Sequence, residues 1–306
     1  MPPGRTTILG TRHEFSSVSM DTLVNVAIVS ELSRADIDPA IQRALAWFDA
    51  VERVCTRFDP TSEVMQLLQR VGRRVQVSTL LFEAVAFAMD LAEQTDGAFD
   101  PTIGATLEDL GFHTNYRTGN TVRSGVDPRG LSFRDVRLDR RARTIRLRRR
   151  LVLDLNAVAK GLAIDLAAAE LREFGDFCVE AGGDLYVRGN NAAGEAWHVG
   201  IQHPRADGLL ARTLHVTDTA VCTSGDYERR SPGMGGGVGH ILDARTQQPV
   251  TDLASVTVVA PTAMAADGLS TAAMALGRPR AQAFLEAQNV SALLVAPDGG
   301  VTTVNL

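Results

Sequence analysis

The sequence predicts an α+β fold in which mixed or antiparallel sheets are flanked by helices. Helical and strand patterns intermingle without the strict βαβ alternation of a parallel sheet. The stretch "FCVEAGGDLYVRG" sets a Gly-Gly turn between two strand-like runs, and "VRLDRRARTIRLRRRLVLDL" alternates apolar and basic residues as a hairpin with one wet face does. There is no internal repeat, and the one low-complexity piece, "SPGMGGGVG" at 231–239, is too short to separate domains. Residues 1–306 therefore read as one domain with two lobes.

In chain order, "TLVNVAIVS" carries Thr22, Val24, Val26 and Ile28 on alternate positions and reads as an early strand. Asp38-Pro39 offers an N-cap and an N1 proline for a helix with Ile41, Leu45, Phe48 and Val51 on one face. A second helix is predicted over 79–94, with Leu81, Ala84, Val85, Ala88 and Leu91 inward, stopping near Gly97. The hairpin occupies 136–155, and a helix follows Lys160 and ends at Gly175. Beyond the Gly-Gly turn come a buried strand "ASVTVVA", an alanine-rich helix "TAMAADGLSTAAMALG" closing at Gly277, and a last strand "SALLVA".

Composition narrows the function. A formal net charge of -5 argues against nucleic acid as a partner. No stretch approaches the ~20 apolar residues of a membrane span. The first twenty residues contain neither an apolar core nor a cysteine for lipid attachment, which argues against a standard export signal. Cys55, Cys178 and Cys222 are odd in number and lack CxxC spacing, which suits a reducing compartment. The expectation is a cytoplasmic globular protein.

Lys160 is the only lysine in a chain with 31 Lys and Arg residues together. A Walker loop is excluded, because Leu155 stands where that motif needs glycine and Gly161 where it needs Ser or Thr. What remains is a lysine at a strand-to-helix junction, where helix N–H groups meet anions. A compact ammonium fits a narrow phosphate site or a Schiff base better than a planar fork does; a surviving surface lysine is the plain alternative.

Asp267 and Thr271 are four residues apart, so on a helix both oxygens share a face and form hard ligands for Mg²⁺. The structural alternative is an N-terminal acid with a back-bonding threonine. His240 and Asp243 follow the glycine-rich loop in "VGHILDARTQQPV", where histidine suits general-base work, although a lone histidine is more often structural. Gly182-Gly183-Asp184 lets backbone approach a ligand, and "TSGDYERR" sets Ser224 and Tyr227 together, in the plain reading as a turn. The arginines of 140–150 alternate with Ile145 and Leu147, as on a solvated hairpin face.

Taken in order, these segments resemble the ApbE family of flavin transferases. "SMDTLVNVAI" is similar to its Met-x-Thr strand, "RFDPTSEVMQL" to its Phe/Tyr-x-x-x-Ser-Glu element, and "TDGAFDPTIGATLEDLGF" to its Gly-Ala-Phe-Asp-Pro-Thr stretch. "LDLNAVAKGLAID", "VEAGGDLYVRG", "CTSGDYER", "GHILDARTQQPV" and "ADGLSTAAMALG" resemble its remaining motifs.

The resemblance implies a T-fold-related domain that moves FMN from FAD onto a Thr or Ser hydroxyl and releases AMP. It implies Mg²⁺ held by the Ala157 main-chain oxygen with Asp267 and Thr271. It sets Met20, Phe58, Phe99 and Asp100 near the flavin, Lys160 beside the phosphates, and Gly183, Asp184, Ser224 and Tyr227 around the nucleotide. His240, or a neighbouring acid such as Asp243, would take the proton of the arriving hydroxyl. The implied partner is an acceptor flavoprotein with an Asp-x-x-Ser/Thr-Gly-Ala-Ser/Thr-like motif. Two departures stand out: Ala244 replaces the family's proline and Gln247 its glycine, which raises the question of the turn's shape. The rival functions are an FAD pyrophosphatase giving free FMN and AMP, and a non-catalytic FAD-binding protein.

Overall fold

The computed structural model describes residues 10–115, 118–206, 208–227 and 241–306. Its strands are β1 (Thr11–Ser19), β2 (Thr22–Ser30), β3 (Val75–Gln76), β4 (Val136–Asp139), β5 (Thr144–Leu147), β6 (Asp176–Ala181), β7 (Asp184–Arg188), β8 (Trp197–Gln202), β9 (Leu210–Val216), β10 (Thr219–Gly225), β11 (Leu242–Asp243), β12 (Gln248–Pro249), β13 (Ser255–Ala260), β14 (Ser291–Val295) and β15 (Val301–Val304). Its α-helices are α1 (Arg34–Cys55), α2 (Glu63–Gln66), α3 (Thr79–Gln94), α4 (Gly104–Asp109), α5 (Asn156–Glu170), α6 (Ala263–Leu276) and α7 (Arg278–Ala287). The α+β expectation with antiparallel sheets is borne out.

The centre is an eight-stranded sheet in the order β1-β2-β6-β7-β10-β13-β14-β15, antiparallel at every pairing. Helices α1, α5 and α6 lie side by side on one face, with α6 over β10 and β13 and α5 over β6 and β7. Helix α3 packs behind them, against α1, α5 and α6. The other face is covered in part by the β8–β9 hairpin, through Ile201, Leu214 and Trp197. Strands β3, β5 and β4 form a separate small sheet.

Helix α1 begins at Arg34, capped by Ser33, whose hydroxyl accepts from Asp36 N. Pro39 therefore falls inside the helix, not at its first position. A Ser-x-x-Asp start outweighed the Asp-Pro signal because Ile37, Ala40, Ile41 and Ala44 already form the buried stripe. Helix α3 occupies the expected span, with Ser78 as its cap. The 136–155 hairpin is shorter than expected, its strands ending at Leu147; Leu151, Val152, Leu153 and Leu155 continue as buried irregular chain. Arg137 and Arg146 face each other on the exposed side while Ile145 and Leu147 are buried, as the alternation predicts. Helix α5 starts at Asn156, so Lys160 is its fifth residue and does not precede it, and the helix ends at Glu170, before Gly175. A final strand, β15, follows the "SALLVA" strand.

The packing of α5 on α6 sets the site. A Cβ added to Gly161 would lie 2.4 Å from the Ala263 carbonyl oxygen, so only glycine lets the two backbones approach this far. One turn on, Asp165 accepts from Ala263 N at 2.7 Å and Met264 N at 3.0 Å, supplying acceptors to the first donors of α6. Burial pushes the Asp165 carboxyl up, and those two N–H groups pull it back in part. Gly161→Ala should therefore cost at least about 2 kcal/mol by overpacking, seen as a lowered melting temperature; an unchanged melting temperature would show that the helices separate freely.

Candidate active site

A single cleft of about 1110 Å³ runs between the ends of β6, β7 and β10, the β8 strand and the N-terminal part of α5. Its lining includes Met20, Phe58, Phe99, Asp100, Ala157, Lys160, Gly183, Ser224, Tyr227, Asp267 and Thr271. Residues scattered over 250 positions of sequence are thus gathered into one cavity.

Lys160 Nζ lies 2.8 Å from Asp184 Oδ2. Asp184 is fully buried and its other oxygen accepts from Thr223 N at 2.8 Å, which fixes the carboxylate on β7 against β10. It is absent from the cleft lining. Asp184 therefore orients the lysine from behind. Lys160 keeps 22% of its side chain exposed, on the cleft.

Asp267 and Thr271 do share a face of α6. Asp267 Oδ2 accepts from Gly161 N at 3.1 Å. That N–H stands four residues after Ala157, where an α-helix directs it at the Ala157 carbonyl. Thr271 Oγ1 is 2.9 Å from Ser224 Oγ, which also meets Ser270 Oγ at 2.8 Å. Among the described residues no group of three or more His, Cys, Asp or Glu side chains comes together for a metal. Ala157, Asp267 and Thr271 line the same cleft, and a carbonyl, a carboxylate and a hydroxyl form a hard-oxygen set of the kind that suits Mg²⁺ and leaves positions for water or phosphate.

The turns that close the cleft carry unusual backbone. Met20 and Asp21, between β1 and β2, have φ of 52° and 63°, a left-handed pair without glycine. Such residues cost on the order of 1 kcal/mol each and are retained where geometry demands them. Gly182 and Gly183 form the matching two-residue turn between β6 and β7, with φ of 58° and 91°. Gly183 N donates to Glu180 Oε1 at 2.6 Å, and the position of its missing Cβ is open space on the cleft.

Asp100 lines the cleft but spends both carboxyl oxygens on the protein: Oδ1 accepts from Thr102 N and Oγ1, Oδ2 from Phe133 N. Burial pushes it up from the ordinary carboxylate range, against those bonds. It shapes the loop that presents Phe99. Tyr227 packs over Gly225, where a Cβ would collide with its ring; Thr223 to Gly225 belong to β10, so the expected turn starts only at Asp226.

His240 lies outside the described residues. Ile241 and Leu242 line the cleft, whereas Asp243 does not. Burial alone would raise the Asp243 carboxyl, but the hydrogen bonds of Arg245, at 2.9 and 2.5 Å, hold it below its ordinary value. A carboxylate so engaged is a weak base, which disfavours Asp243 for proton removal. Sequence reading missed Arg57 and Asp154, a buried ion pair at 2.6 Å in the cleft wall; nothing in the local pattern marks an arginine for burial.

A family model described as the ApbE family matches residues 20–294. The chain belongs to the ApbE family. The FAD:protein FMN transferase of Haemophilus influenzae is 31% identical over 258 residues, covering 77% of this chain and 73% of that protein. The one from Treponema pallidum is 31% identical over 307 residues, covering 90% and 82%. Among solved structures, the ApbE protein of Thermotoga maritima superposes with a TM-score of 0.84 at 28% identity, covering 96% of this chain and 97% of that one. The flavin transferase ApbE from Vibrio cholerae gives 0.83 at 26% identity, with the same coverage.

The two departures from the ApbE motif now have a physical account. Ala244 N donates to the Ala98 carbonyl at 2.9 Å, a bond that proline has no N–H to make. Gln247 has φ of 57°, the left-handed conformation that glycine adopts freely, and its N–H closes onto Asp243 O at 2.7 Å. The turn keeps a glycine-type shape and bears the strain. Gln247→Gly should stabilise by about 1 kcal/mol, and Ala244→Pro should cost about the same for the lost bond. Thermal unfolding checks both; a destabilising glycine would contradict the strain.

Proposed function

We propose that the whole chain acts as one Mg²⁺-dependent flavin transferase domain, moving FMN from FAD to a Thr or Ser hydroxyl of an acceptor protein and releasing AMP. One observation carries the reading. The only lysine and the hard-oxygen donors Ala157, Asp267 and Thr271 line the same cavity as Met20, Phe58 and Phe99. A phosphate anchor and a ring-binding apolar wall thus share a space of about 1110 Å³, ample for a dinucleotide. The names of the relatives support the same activity.

Lys160, aimed by buried Asp184, meets the negative charge that grows on the departing AMP. Ala157, Asp267 and Thr271 are the residues that would hold Mg²⁺, which when bound neutralises pyrophosphate charge. Ser224 fixes the Thr271 hydroxyl from β10. The acceptor oxygen attacks the phosphorus on the FMN side, and its proton passes to His240, the role that family resemblance assigns it. A phosphodiester bond to the acceptor forms, the bond to the bridging oxygen breaks, and that oxygen leaves with AMP.

The acceptor is a flavoprotein with an Asp-x-x-Ser/Thr-Gly-Ala-Ser/Thr-like motif, met in the cytoplasm. In support of that compartment, Cys55, Cys178 and Cys222 are all unpaired. Among the described residues no helix is long and apolar enough to cross a membrane.

Incubation with FAD and Mg²⁺, with and without a domain bearing that motif, should add one FMN to the acceptor and release AMP, read by mass spectrometry. Free FMN and AMP beside an unmodified acceptor would favour a pyrophosphatase, and bound FAD with no products a binding protein. Lys160→Arg should reduce turnover on the order of a hundredfold, because the fork replaces a point charge in a confined site. Asp267→Ala should remove activity and its Mg²⁺ response together; a variant still driven by Mg²⁺ would place the metal elsewhere.

A further inference from the structure

Arg57 sits in the cleft wall, just after α1, with only 3% of its side chain exposed. Its Nε donates to Asp154 Oδ2 at 2.6 Å, and one face of the guanidinium lies over the Phe58 ring at 4.1 Å. Asp154 is already well used: its oxygens also accept from Asn156 N at 3.0 Å and Asn156 Nδ2 at 3.3 Å. The two Nη atoms of Arg57 carry four further N–H donors. Among the described residues they donate to no acceptor; the hydrogen bond of this side chain is the one from Nε to Asp154. The Nη groups open onto the cleft, where an acceptor from outside the chain, water or ligand, can reach them.

We propose that the Nη donors of Arg57 bind the carbonyl edge of the flavin's isoalloxazine ring. The inference rests on the reading of the cleft as a flavin nucleotide site and adds a ring-recognising residue to it. The surroundings favour the ring over the phosphates. Arg57 is stacked on Phe58, and its partner Asp154 is tied through its own N–H to the Pro101 carbonyl at 2.7 Å, so the guanidinium belongs to the wall formed by Phe58, Phe99 and Pro101. The phosphates have their own cation in Lys160, and the α6 oxygens would hold Mg²⁺ for them. A planar fork presents paired donors in one plane, which suits the adjacent carbonyl and ring-nitrogen acceptors of a planar heterocycle. A lysine at position 57 would keep the charge opposite Asp154 but not the fork.

The test is equilibrium binding of FAD and of riboflavin, which lacks any phosphate, to wild type, Arg57→Met and Arg57→Lys, without acceptor. Far-UV circular dichroism and thermal unfolding report the fold of each. Arg57→Lys keeps a cation for Asp154, so it retains the fold even if Arg57→Met does not. The expected result is a loss of at least about tenfold in affinity for both ligands in a folded variant. Folded Arg57→Lys binding both flavins as wild type does would overturn the assignment and leave Arg57 a structural residue. Loss for FAD alone, with riboflavin unchanged, would move the contact to the phosphate end and overturn it too. Wild-type protein that binds neither flavin would overturn the functional reading and this assignment with it.

Discussion

The contact between α5 and α6 at Gly161 governs the site. Because residue 161 has no side chain, the α6 backbone at Ala263 comes close enough for Asp267 to accept the Gly161 N–H and for Asp165 to cap the start of α6. That approach brings Lys160, one residue earlier, onto the same cleft as Asp267 and Thr271. It also seats α6 against β10, where Ser224 meets Thr271. Two helices that buried only alanine and leucine surface could slide along one another. The Gly161–Ala263 contact and the two carboxylates fix their register.

The fold places opposite chemistry along one cavity. On the α5–α6 side are a cation and hard oxygens; the other wall sets the rings of Phe58 and Phe99 and Pro101 beside the Arg57–Asp154 pair. The polar groups behind these walls are largely engaged with the protein, as Asp184 is with Lys160 and Thr223, and Asp100 with Thr102 and Phe133. Such engagement keeps the groups that face the cleft in one geometry before a ligand arrives, which lowers the ordering cost of binding.

Much of this was legible in sequence, for reasons that differ by element. Helix α3 was readable to the residue because its apolar period is clean and Ser78 precedes it. The i, i+4 pair Asp267 and Thr271 was readable as a face, since helical geometry alone puts them together. The start of α1 was misread because Asp38-Pro39 mimics a helix start that Ser33 had already made. Strand β1 was not read at all: as an edge strand it buries little beyond Phe15 and Ser19, so its pattern is mostly polar. Strands β8 and β9 were likewise missed, being half exposed. The second layer of the site, Asp184 behind Lys160 and Asp154 beside Arg57, was invisible because burial of a charge is decided by tertiary contacts. One arginine among many carries no local mark of it.

The central claim is that the α5–α6 junction joins a metal site and a phosphate site into one. FAD affinity measured with and without Mg²⁺, before turnover and without acceptor, tests it most directly in wild type and Thr271→Val. The account predicts that Mg²⁺ tightens FAD binding to wild type, by on the order of tenfold for a coupling of ordinary size, and that the valine variant loses this effect while still binding FAD. An equal Mg²⁺ effect in both proteins would contradict the claim.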